Sequence, residues 1–92
     1  MTTAPTLGQF RETGYEDARN CFAPSEVNPA IADLDAALLD FIGGDRAEFI
    51  ATRVKADEAF EEPGVDPTAA GLAWCDGWWS GAREHLRTHR SA

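Results

Sequence analysis

The chain has 92 residues, 43% of them hydrophobic, which is enough for one domain with its own core and roughly a third of its surface left to water. Its formal net charge of -8 sits in one stretch, where from Glu26 to Asp66 eleven acids stand against Arg46, Arg53 and Lys55, while residues 1–25 and 67–92 nearly balance. No apolar run reaches the length of a membrane span, and Met1 to Thr6 has neither the basic nor the apolar region of a secretory signal, so no membrane association and a cytoplasmic location are expected.

The helical period dominates and nothing alternates as a strand does, which predicts an all-α single domain over residues 1–92. Thr6 with Gln9 forms a capping-box pattern for a first helix over about 7–20, with a buried line through Phe10, Gly14 and Ala18. Asn28-Pro29 is a start signal, and a second helix from Pro29 would place Ile31, Leu34, Leu38, Phe41 and Ile42 on one stripe before Gly43-Gly44 ends it. Asp45 with Glu48 then starts a third helix, expected to run to about Phe60, where Pro63-Gly64 breaks it. The second and third helices would thus form an acidic hairpin over 29–62, packed against a pair made by the first and last helices in a four-helix arrangement. Asp66-Pro67 repeats the start signal, and the last helix is predicted over 67–89.

At about 100° per residue the last helix gathers Gly71, Leu72, Trp74, Cys75, Trp78, Trp79, Ala82 and Leu86 into one arc. The adjacent indoles of Trp78 and Trp79 point about 100° apart and cannot share one partner helix. The arc, with Gly71, Cys75 and Ala82 at its middle, reads as a tightly packed helix face, yet at least one of the two indoles is expected to lie part-exposed as an interface anchor, with Trp78 the candidate. On the third helix Arg53 and Asp57 fall within an apolar arc, either as a core-edge pair at four-residue spacing or as the charged centre of a contact with another chain.

Trp74-Cys75-Asp76-Gly77-Trp78, followed by Gly81-Ala82, resembles the W-x-x-G-W segment of ribosome modulation factor and its small phage-encoded relatives. Gly14-Tyr15-Glu16-Asp17-Ala18 is similar to their first-helix G-Y pattern, and Asn28-Pro29 to the Asn-Pro that often follows in the phage forms. The match covers some 25 residues at the two ends, and here the acidic hairpin separates the motifs. The resemblance implies a helix-pair core and a phage or mobile-element setting, hence the cytoplasm of a host cell, and for the family docking on ribosomal RNA. Net negative charge opposes that docking.

Little in the sequence points to catalysis. His85 and His89 have a spacing that can hold one metal ion, but no glutamate follows His85 in zincin fashion and no third ligand stands out, so they read as a pair at a helix C-terminus. Cys75 and His89 would be about 21 Å apart along one helix, too far for a nucleophilic pair. Cys21 and Cys75 lack metal-ligand spacing and are expected as two reduced thiols. Gly43-Gly44 has no P-loop lysine, and the serines stand in no triad context. No enzyme activity, metal or cofactor is expected.

The composition instead points to a non-catalytic acidic binding protein that inhibits or modulates a larger nucleic-acid-handling partner, as a DNA mimic or anti-CRISPR inhibitor does. Asp33 and Asp40 would share one face of the second helix about 10.5 Å apart, and Glu58 and Glu62 one side of the third. With Arg53, Asp57 and Trp78 they form the candidate partner-binding set. The partner would be a protein or ribonucleoprotein with a basic groove, without direct nucleic-acid binding. A ribosome-associated factor and a small metal protein or enzyme are the alternatives.

Overall fold

The computed structural model describes residues 4–91, so half of the Met1 to Thr6 segment lies outside the described residues. The fold is all-α, with no strand among them: α1 over Leu7–Cys21, α2 over Leu34–Phe41, α3 over Arg46–Ala56 and α4 over Pro67–Ser91. Single 3-10 turns at Pro24–Glu26 and Glu58–Glu61 complete it.

The long helix α4 is the spine, and α1 lies along it as its main partner. The pair is built on glycine. A Cβ added at Gly14 would run into the Trp74 carbonyl, one at Gly77 into the Arg11 carbonyl, and one at Gly81 would lie 2.6 Å from the Tyr15 carbonyl oxygen. The two backbones therefore meet directly. Thr6 starts α1 with the expected capping box, its hydroxyl accepting from Gln9 N–H and its own N–H donating to the Gln9 side chain.

The buried surface of α4 is wider than the predicted arc and centred elsewhere. Ala70, Ala73, Gly77 and Gly81 are buried beside Trp74, Cys75, Trp78, Ala82 and Leu86, whereas Leu72 is 51% exposed. The predicted arc includes Gly71 but stops short of Gly77 and Gly81, the two glycines of α4 that meet the α1 backbone.

Helices α2 and α3 rest on α4 and hardly on each other. The second helix begins at Leu34 and not at Pro29. Asn28 instead makes a turn, its side chain accepting from Ala30 N–H, and Arg90 at the far end of α4 donates to the carbonyls of Asn28, Ile31 and Ala32. The Asn28 carbonyl also accepts from Ile31 N–H, so residues 28–31 close as a turn that Arg90 pins to α4. Asp33 then caps α2 by accepting from Ala36 N–H, Leu38 is fully buried, and Gly43 and Gly44, both at positive φ, end the segment.

Asp45 caps α3 through Glu48 N–H as expected, but the helix stops at Ala56 rather than Phe60. Asp57 is extended and caps a new turn by accepting from Ala59 N–H, and that turn swings Phe60 into the core, 1% exposed and stacked on Phe10 at 4.8 Å. Burying this ring stabilises by more than continuing the helix for one more turn. Asp66 starts α4 with its side chain on Thr68 N–H and its carbonyl on Ala70 N–H.

Candidate functional site

The acids of the Glu26–Asp66 segment divide by task. Asp33, Asp45, Asp57 and Asp66 each accept a backbone N–H at the start of a helix or turn, work that aspartate does at caps. Asp35 accepts from the Trp79 indole at 2.9 Å and pairs with Arg83 at 3.3 Å. The other six, Glu26, Asp40, Glu48, Glu58, Glu61 and Glu62, are exposed and have no side-chain hydrogen bond or ion pair among the described residues.

This division revises the predicted rows. Asp33 precedes α2 in extended backbone, so it does not share a helical face with Asp40. Glu58 and Glu62 lie beyond α3, the first opening the 3-10 turn and the second following it in extended backbone, so they do not form one side of that helix. The charge is a set of separate exposed carboxylates on elements laid over the α1–α4 pair.

The two arginines of the segment are engaged with other groups and leave those six carboxylates uncompensated. Arg53 pairs with Asp17 of α1 at 3.0 Å and with Asp57 at 3.4 Å, and its guanidinium lies 4.9 Å from the centre of the Trp74 ring. Trp74 Nε1 donates to the same Asp17 oxygen at 3.2 Å, so one carboxylate ties α1, α3 and α4 together. Arg53 and Asp57 thus form the core-edge pair, extended by an acid far away in sequence. Arg46 pairs with Asp76, lies 5.2 Å from the Trp79 ring centre, and donates through Nε to Cys75 Sγ at 3.4 Å. That hydrogen bond is the largest influence holding the Arg46 guanidinium above its ordinary pKa, while burial pushes the Cys75 thiol up against the opposing effect of Arg46. A buried thiol kept protonated is a poor nucleophile.

Trp78 is not the expected exposed anchor. It is 7% exposed and packs among Phe22, Phe41, Phe49 and Trp74, with the Phe49 ring centre 4.9 Å away. The half-buried indole is Trp79, held by Asp35 and Arg46. Around Trp78, where α2 and α3 stand apart, a cleft of about 540 Å³ opens, walled by Phe22, Phe41, Phe49, Trp74 and Trp78, with Asp17, Thr52, Arg53 and the exposed Cys21 also lining it. No sequence spacing pointed to Asp17 or to Phe41 and Phe49 both packing on Trp78, because these contacts depend on how α2 and α3 sit on α4.

His85 is partly buried with its ring edge-on to Phe22 at 6.1 Å, and His89 is exposed. Among the described residues no three His, Cys, Asp or Glu side chains converge as metal ligands, and no helix is long and apolar enough to cross a membrane. Compared with known protein families, with curated proteins and with solved structures, the chain matches none.

Proposed function

We propose that this chain is a non-catalytic acidic binding protein that inhibits or modulates a larger nucleic-acid-handling partner by covering a basic groove of that partner. The observation that supports the reading best is the division of charge. Six carboxylates of one segment stand free in solvent, while two of its three cations, Arg46 and Arg53, are spent on Asp76, Asp17 and Asp57. Free carboxylates over a net charge of -8 steer a positive surface toward these elements and repel nucleic acid itself. The mimicry is one of overall field, since the acids follow no single helical face.

The test is displacement of labelled duplex DNA from purified nucleases and CRISPR effector complexes. The parent should displace the duplex from its target in a salt-sensitive manner. A variant carrying Asp40→Asn, Glu48→Gln, Glu58→Gln, Glu61→Gln and Glu62→Gln should lose most of that displacement through slower association. Asp33 is retained because it caps α2. Co-sedimentation with ribosomes that survives the neutralisation, without any displacement of DNA, would overturn the reading in favour of a ribosome-associated factor.

A further inference from the structure

The aromatic cleft between α2 and α3 is large enough for a side chain from outside, and its walls and charge select what kind. We infer that it receives an arginine side chain of the basic partner, as the anchor of the contact; this rests on the function proposed above and names its central contact. Aromatic faces attract cations, and here Phe22, Phe41, Phe49, Trp74 and Trp78 line one space of about 540 Å³. The chain's net charge of -8 favours a cation and disfavours an anion. Phe41 and Phe49 each follow an exposed, unpaired acid, Asp40 and Glu48.

The cleft already shows the chemistry in its own chain. Arg53 covers the Trp74 end, guanidinium on indole and paired to Asp17 and Asp57, so one cation is outnumbered by two carboxylates there. The half-buried rings of Phe41 and Phe49, packed on Trp78 beneath them, remain for a second guanidinium, which stacks flat where a lysine ammonium is a hydrated point charge.

The experiment uses the full chain with hexa-arginine as the probe and hexalysine as the ammonium control, read by calorimetry and by tryptophan emission. Hexa-arginine should bind saturably with a change in emission, and hexalysine more weakly. Binding should fall about tenfold in Thr52→Phe, which fills the cleft from its rim, and in Phe49→Leu, which removes a wall ring. Thr52→Phe decides if Phe49→Leu loses helical content. The triple variant Glu58→Gln, Glu61→Gln, Glu62→Gln, outside the cleft lining, should keep the emission change and show a flatter salt dependence. Equal binding by the parent and Thr52→Phe, or no binding by the parent, overturns the arginine cleft, and DNA displacement then decides the acidic-surface reading by itself. Loss in Thr52→Phe with unaltered salt dependence in the triple variant supports the cleft and counts against the acidic surface.

Discussion

The α1–α4 pair and the α2–α3 layer are held by opposite means. In the pair, Gly14, Gly77 and Gly81 bring main chain against main chain along the centre, and side chains such as Tyr15 and Arg19 reach Glu84 only at the flank. In the layer, four arginines reach across the gaps: Arg46 to Asp76, Arg53 to Asp17, Arg83 to Asp35, and Arg90 to the carbonyls before α2. Long side chains leave space where backbone contact leaves none. The cleft and the unpaired acids therefore belong to the layer, and the tightly specified pair serves as its platform.

The sharpest way to break this contrast is Gly77→Ala. A methyl there meets the backbone of Arg11, which cannot swing away as a side chain would, so the loss should be about 4 kcal/mol or more, at the top of the range for overpacking. Gly8→Ala, on α1 but with only the Thr6 hydroxyl nearby at 3.8 Å, should be neutral or stabilising by up to about 1 kcal/mol. Thermal midpoints that fall equally would show that backbone contact is not what makes the pair intolerant.

Within the layer, Leu38→Ala should cost about 3 kcal/mol, because Leu38 is fully buried and its site would be left as a cavity. An unchanged denaturation midpoint would mean that α2 does not anchor on the core. Arg53→Leu should cost less, about 1 to 2 kcal/mol, since the pair with Asp17 is half-exposed and much of the loss is the stacking on Trp74. Arg53→Lys should recover little of it, because an ammonium cannot reproduce the planar contact. Full recovery by lysine would reduce the clip to simple charge.

The smallest effect concerns pH. Burial raises the Cys75 thiol above its ordinary value of 9.0, so the folded chain keeps a proton that the unfolded chain has lost. Stability from this source is therefore complete below that value and declines as pH rises past it toward the folded pKa. The Arg46 hydrogen bond opposes the shift and keeps the decline modest. Cys75→Ala should flatten the fall in denaturation midpoint between neutral pH and about pH 10. Curves of identical slope for parent and variant would show that Cys75 does not titrate differently on folding.

The sequence by itself determined the helical class, the capped starts of α1, α3 and α4, the Gly43-Gly44 stop and the buried line Phe10, Gly14, Ala18, because caps and periodicity act within a few residues of chain. It also determined where the charge lies. Tertiary structure alone decided that α2 starts at Leu34, after a turn that Arg90 pins from across the molecule, and that α3 ends at Ala56, since Phe60 has a place against Phe10. It likewise decided that Trp78 is inside, that Asp33 and Asp57 are caps, and that Asp17 meets Arg53 and Trp74. Each of these outcomes depends on groups distant in sequence competing for the same carbonyl, carboxylate or core space, and no local pattern records which of them wins.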